Sequence, residues 1–234
     1  IPGLDIAADY LKANAKKTGL SPGVPDYFQI IPIVSSQPDA ENTFLEITDP
    51  DGKVIYKTDS IIGLPSGTGI NLSNVEIVFA GFGWSDEKTG YDDFAGVELR
   101  DKVVMFAMGS PESFQKDELP RWNNSVETDK MKRAMEAGAA MAIIVNSPFD
   151  EGNSVYNRLN RWINRTDYSL ETSENKTKTN NFIFTTAAQA DALFGGKGEL
   201  KNLLAKISTD KKPNSYCIEG LRINIKTNRI TNHI

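Results

Sequence analysis

Histidine is almost missing from this chain: of 234 residues only His233 carries an imidazole. A Ser-His-Asp or Cys-His site needs an imidazole held by packed neighbours, and the next-to-last position is where chains fray. Most hydrolytic machinery is thereby excluded from this stretch of polypeptide. Cysteine is equally scarce. Cys217 alone rules out an internal disulfide and a thiolate zinc cluster, and on a strand it reads as a small buried hydrophobe. Long apolar runs are lacking too. The longest, Ala139 to Val145, falls far short of the roughly 20 residues of a spanning helix, so no transmembrane segment is expected. Nor is there an excess of positive charge. Acidic residues number 31 against 26 basic ones, and the net charge of −5 argues against a nucleic-acid partner.

What remains is an ordinary globular balance, 39% hydrophobic and 24% charged, in a chain long enough to bury a core. The chain opens on Ile1 rather than Met, which implies that something upstream has been removed. Asn-x-Ser/Thr matches at Asn71, Asn123, Asn164 and Asn175 are what chance gives in a composition this rich in Asn, Ser and Thr.

The first segment reads as a helix followed by strands. Leu4, Ala7, Ala8, Leu11 and Ala15 share a helical face, with Lys16 and Lys17 in the last turn and Gly19 as the stop. Extended stretches are expected over Tyr27 to Val34, Thr43 to Thr48 and Lys53 to Lys57. The last two flank Asp49-Pro50-Asp51-Gly52, a turn signal that predicts a hairpin. The run Gly63 to Gly69 breaks all periodicity and reads as a linker. Beyond it, Val75 to Ala80 and Lys102 to Met108 are apolar strands. Asp129 to Ala137 is a helix with Thr128 as its N-cap and Gly138 as its stop, and Ala140 to Val145 is a buried strand. Strand, helix and strand in that order predict a βαβ unit with parallel pairing.

From Ser147 to Asn181 the pattern dissolves, apart from some amphipathic character over Asn157 to Ile163, and this excursion is expected to be mobile or to pack through Trp162 alone. Order returns with the strand Phe182 to Thr185 and a helix over Ala187 to Phe194 capped by Thr186. A second helix carries Leu200, Leu203, Leu204 and Ile207, and an alternating strand covers Leu221 to Ile225.

No constellation of residues spells out chemistry. Asp92 and Asp93 are adjacent carboxylates without calcium-loop spacing; one of them accepting backbone N–H bonds and fixing the turn is the preferred reading. Gly81-Phe82-Gly83 and Gly195-Gly196-Lys197-Gly198 lack the third glycine or the Ser/Thr that phosphate loops need, so they read as turns. Arg158, Arg161 and Arg165 could meet an anion or line a solvated face. Trp84, Trp122 and Trp162 sit on or beside expected loops, where each either anchors a contact or closes a loop onto its own domain.

One stretch is distinctive. Val75-Glu76-Ile77-Val78-Phe79-Ala80-Gly81-Phe82-Gly83, followed by Gly90-Tyr91-Asp92-Asp93-Phe94-Ala95-Gly96 and on to Val104, resembles the opening of a protease-associated domain. Domains of that type are inserted in metallopeptidase family 28, the co-catalytic zinc aminopeptidases related to glutamate carboxypeptidase and the transferrin receptor ectodomain. The likeness runs from about Leu72 to Ile207, and its first third is the specific part. The flanks are similar to the segments that precede and follow such an insert.

The resemblance implies a mixed α+β fold: a swivelling β/β/α domain over residues 72–208, a helix-and-strand flank over 1–71, and a return strand over 209–234. It implies an extracytoplasmic protein, with a peptidase catalytic domain and a peptide or protein substrate as partners. The family's His-x-Asp and Glu-Glu zinc ligands match no position here. No catalytic, cofactor or metal residue is therefore assigned, and zinc is expected only in a catalytic domain downstream. Gly90, Tyr91, Asp92, Asp93, Phe94 and Gly96 are expected to be structural; Trp84, Trp122, Trp162, Arg158 and Arg161 are the candidate contact residues. A freestanding domain that binds a small ligand or glycan is the alternative, and a nucleotide-dependent enzyme is disfavoured.

Overall fold

A computed structural model describes residues 2–63, 69–116, 124–170 and 181–234. In chain order it contains α1 (Pro2–Lys17), β1 (Ile33–Pro38), β2 (Phe44–Thr48), β3 (Val54–Thr58), β4 (Ile62–Gly63), β5 (Ile70–Ala80), β6 (Ser85–Asp86), β7 (Tyr91–Asp92), β8 (Val103–Ala107) and α2 (Pro111–Gln115). There follow α3 (Asn124–Glu136), β9 (Met141–Val145), α4 (Ser154–Ile163), β10 (Asp167–Leu170), β11 (Phe182–Thr185), α5 (Ala187–Ala190), α6 (Glu199–Asp210), β12 (Ser215–Thr227) and β13 (Arg229–His233). The fold is mixed α+β, as the sequence predicts.

Eight strands form one sheet in the order β3-β2-β12-β5-β8-β9-β11-β4. Its middle is parallel: β5 pairs with β8, β8 with β9, and β9 with β11. The expected βαβ unit is β8-α3-β9. Parallel strands covered on both faces need apolar side chains at every position, and β8, β9 and β11 are buried throughout. Alternation then sorts them. Ile77, Phe79, Met105, Ile143 and Ile183 face α5 and α6, against Leu200, Leu204 and Ile207. Val78, Val104, Phe106, Ile144 and Phe184 face α3 and α4, against Met131, Ala134, Leu159 and Ile163.

Three strands make a second, smaller sheet, β10-β1-β13, antiparallel throughout. The chain changes sheet at two adjacent places, after Pro38 and after Asn228. There the Asp39 N–H donates to the Asn228 carbonyl at 3.0 Å, and the buried Asp39 carboxylate accepts from the side chains of Asn42 at 2.8 Å and Asn228 at 3.0 Å. The hairpin β2–β3 forms at the expected turn, and β12 carries it into the larger sheet by pairing with both β2 and β5.

Several local expectations are corrected. Residues 27–32 are not a strand; Pro25–Tyr27 forms a 3-10 turn and β1 starts only at Ile33, where β13 supplies its partner. Thr128 does not cap α3, which begins at Asn124. Ser125, Val126 and Glu127 continue the helix upstream, and Glu127 is buried rather than solvated. His233 does not fray; it pairs with Val34 in β13. Cys217 is half-buried on β12 rather than fully enclosed. The linker reading of Gly63 to Gly69 falls largely on residues 64–68, outside the described ones.

The excursion is ordered over most of its length. Helix α4 buries Val155, Tyr156, Leu159 and Ile163, while Trp162 points outward at 54% exposure, so packing is not through Trp162. The amphipathic character over residues 157–163 belongs to this helix, and four apolar side chains in ten residues suffice when they all fall on one face. Residues 171–180 lie outside the described ones.

An aspartate starts α4 from outside the helix. Buried Asp150 accepts from the N–H groups of Ser154 and Val155 at 2.8 Å each, and from the Asn146 amide at 3.0 Å. Burial pushes its carboxyl up, but those donors outweigh it and the net displacement is downward. Asp150→Ala should therefore cost about 1–2 kcal/mol at neutral pH. Because the folded-state value lies below the unfolded one, this contribution is complete above about pH 4 and lost as pH falls through the lowered value. Urea unfolding of both proteins between pH 7 and pH 3 checks it: the gap should close on the acid side.

Candidate functional site

The chain leaves β5 through Gly81-Phe82-Gly83-Trp84, and this turn is built around one carboxylate. Gly81 and Gly83 have φ of +48° and +60°; a Cβ on the first would lie 2.7 Å from Asp93 Oδ1, and on the second 2.9 Å from the Phe106 ring. Asp93 is fully buried. Its Oδ2 accepts from the N–H groups of Phe82 and Trp84, both at 3.0 Å, and its Oδ1 accepts from the Tyr91 hydroxyl at 2.7 Å. Ser215 Oγ donates to the Asp93 carbonyl at 2.6 Å, tying the motif to β12. Burial pushes the Asp93 carboxyl up against the pull of Tyr91, the two backbone donors and Lys130. The Tyr91 hydroxyl is pushed up by burial and by the charge it faces.

Asp92 has a different task. Its Oδ1 accepts from the Phe94 N–H at 3.0 Å and meets Arg133 at 2.6 Å, while the guanidinium lies 5.0 Å from the Phe94 ring centre. The two neighbouring carboxylates thus serve separate partners. Among the described residues no group of three His, Cys, Asp or Glu side chains could hold a metal ion. Gly90 and Gly96 bracket the motif at turns, and Phe94 packs edge-on against Phe106.

Beneath the motif lies an ion pair that sequence reasoning missed. Glu127 and Lys130, one helical turn apart on α3, are 1% and 3% exposed. Lys130 Nζ donates to Glu127 Oε2 at 3.1 Å and to the Gly109 carbonyl at 2.6 Å; the Gly109 N–H donates back to Glu127 Oε1 at 3.2 Å. Burial pushes the ammonium down and the carboxyl up, and the mutual contact opposes both. A Glu-x-x-Lys spacing on a polar helix reads as surface, so no signal singled it out.

Two hollows flank Trp84 at the C-terminal ends of β5 and β8. The larger, about 410 Å³, is lined by Trp84, Tyr91, Ser110 and Glu112 and by Ser208 and Lys211 at the end of α6. The smaller, about 210 Å³, lies between Trp84 and the α3 residues Lys130 and Arg133. Crevices outside the carboxyl ends of parallel strands are where open sheets bind ligands. Gln115 Nε2 donates to the Ser208 carbonyl and joins α2 to α6.

Of the candidate contact residues, Trp84 lines both hollows. Trp162, Arg158 and Arg161 are exposed on the outward face of α4 and line neither. Trp122 lies outside the described residues. Ser208 and Lys211 were not anticipated, since a serine and a lysine near a helix end carry no signature of their own.

No family model and no curated protein sequence matches the chain. Among solved structures, an aminopeptidase from Aneurinibacillus sp. strain AM-1 is similar over 97% of this chain at 15% identity, with a TM-score of 0.39. The match takes in 46% of that aminopeptidase, so this chain spans less than half its length.

Proposed function

We propose that this chain is a non-catalytic protease-associated module, with its flanking segment, of an exported zinc-dependent aminopeptidase. In this reading it gates access of peptides to the active-site mouth or holds them there, and the zinc belongs to a catalytic domain outside these residues. The observation that carries the reading is where apolar surface is left uncovered. Fourteen of the seventeen large hydrophobic side chains exposed among the described residues lie in residues 4–33, on β10, or in residues 229–234. They include Leu4, Ile6, Tyr10 and Leu11 on α1, and Ile30, which is 92% exposed. The parallel strands β8, β9 and β11 at the middle of the larger sheet, by contrast, are buried throughout. An apolar patch of this kind marks a surface that another body covers, and the catalytic domain is the proposed body. The Gly-Tyr-Asp-Asp-Phe-Ala-Gly motif, closed around Asp93, is the sequence feature that supports the family.

The test uses the protein as the cell makes it. The native polypeptide should carry a His-x-Asp pair and release N-terminal residues from peptides in a zinc-dependent manner, whereas these residues alone, with zinc supplied, should not. Robust hydrolysis by this chain after rigorous purification, or a native polypeptide without such a pair, would overturn the assignment.

The groove beside Trp84 favours one second reading, a freestanding domain that binds a small ligand or glycan. Thermal shift against peptide and sugar panels separates the two, since a ligand that binds only the native state raises its apparent stability.

A further inference from the structure

We infer that the groove between Trp84 and the end of α6 is a binding site for short peptides with free termini. The inference deepens the accessory-module reading and rests on it for the expectation that peptides are present. The groove itself stands on geometry.

Its volume of about 410 Å³ lies within the roughly 300–1,000 Å³ of small-molecule sites. One wall is aromatic, with Trp84 and Tyr91 held in place by the shared carboxylate of Asp93. Ser208 also lines the groove, 1% exposed, and its Oγ has no hydrogen-bond partner among the described residues. A buried hydroxyl without a partner costs stability, and a ligand amide that supplies one recovers it.

The rim narrows the chemistry. It carries charges of both signs: Asp86 and Glu112, Lys116 and Lys211. Glu112 and Lys116 pair at 2.7 Å across one exposed helical turn, an interaction easily exchanged for a ligand's charge. Lys211, just past α6 with φ of +51°, lies close enough for its charge to act on the Glu112 carboxyl. A ligand of one sign, such as a phosphate ester, meets as much repulsion as attraction here, and a neutral sugar leaves the charges unused. A zwitterionic peptide uses both, with its carboxylate toward Lys211, its ammonium toward the acids and its amides against Trp84 and Ser208.

The test is a titration of trialanine into the isotopically labelled chain, following the Trp84 indole N–H resonance, assigned by its loss in Trp84→Phe. Trialanine should shift that resonance saturably. Ser208→Ala should weaken binding about tenfold, the loss of one good hydrogen bond, while leaving the urea midpoint unchanged or higher. Lys211→Glu and amidation of the peptide's carboxyl terminus should each weaken binding about fivefold or more, and together no further than either alone. The inference is overturned if trialanine leaves the Trp84 resonance unmoved, or if neither Ser208→Ala nor Lys211→Glu alters the affinity. A larger response to maltotriose or chitotriose also overturns it and favours a glycan site. Any of these outcomes removes the groove as a peptide site without touching the account of the uncovered flank, which the native polypeptide tests separately.

Discussion

Lys130→Met should lower stability by about 3–5 kcal/mol, because it strands the Glu127 carboxylate in the interior with only the Gly109 N–H to answer it. The paired change Glu127→Leu with Lys130→Met should recover most of that loss. Removing both charges also removes the desolvation that their attraction has to offset. Urea midpoints at constant m-value measure both effects. The pH response of Lys130→Met adds a sign that a mere packing defect would not show. Burial already holds the Glu127 carboxyl above its ordinary value, and loss of the ammonium can only raise it further. A carboxyl whose folded-state value exceeds its unfolded one binds more protons in the native state. Stability therefore falls as pH rises through that window. The deficit of the variant should shrink on going from pH 7 toward the ordinary carboxylate range. A single variant that costs under 1 kcal/mol, or a double variant no better than the single, would show that the pair is not the tie between α3 and the end of β8.

Asp93→Ala is expected to cost about 3 kcal/mol and to disturb the Trp84 wall as well. It leaves three donors, the N–H groups of Phe82 and Trp84 and the Tyr91 hydroxyl, without the buried acceptor they share. Asp93→Asn keeps an acceptor oxygen at one position but presents an amide donor at the other, so it should fall between the two. The readouts are the urea midpoint and the emission maximum of the indole, with Trp84→Phe as the control for the other two tryptophans. A loss below 1 kcal/mol would mean that the turn after β5 is held by the glycine conformations and the strand pairing alone. Adding a side chain at Gly81 is no milder route to the same result, since its Cβ would press directly on Asp93.

Much of the local architecture was legible before any coordinates. Asp49-Pro50-Asp51-Gly52 marks a hairpin because few residues accept the turn's geometry, and β2 and β3 meet across it. The unbroken apolar runs at Val103–Ala107 and Met141–Val145, separated by a polar helix, can be covered on both faces only as parallel strands. A fixed turn was also the preferred reading of the adjacent aspartates, and Asp93 accepts the backbone bonds of that turn. The excursion is legible only in part, through the amphipathic character of residues 157–163. Its apolar content is low on average, but Val155, Tyr156, Leu159 and Ile163 are concentrated on one helical face. An average hides what a periodicity reveals.

The candidate site was less legible, because it is assembled from segments far apart in the chain. Trp84 stood out as an aromatic on a loop, yet its neighbours in the groove, Ser208 and Lys211, lie more than a hundred positions later. They reach it only because α6 packs on α2, with Gln115 bonded to the Ser208 carbonyl. The same holds for Glu127 and Lys130, whose polarity reads as solvent-facing until the end of β8 closes over them.

By itself, then, the order of residues settled what short-range chemistry can settle: the hairpin, the buried parallel strands and the helix between them, and where glycine and aspartate force turns. Tertiary structure alone decided that β12 joins the hairpin to the parallel strands, that a lysine and a glutamate are interior, and that Trp84 and Ser208 line one groove. The difference is one of range. Turn geometry and helical period act between neighbours and leave a pattern in the sequence, whereas burial and strand partnership are properties of the whole packed chain and leave none.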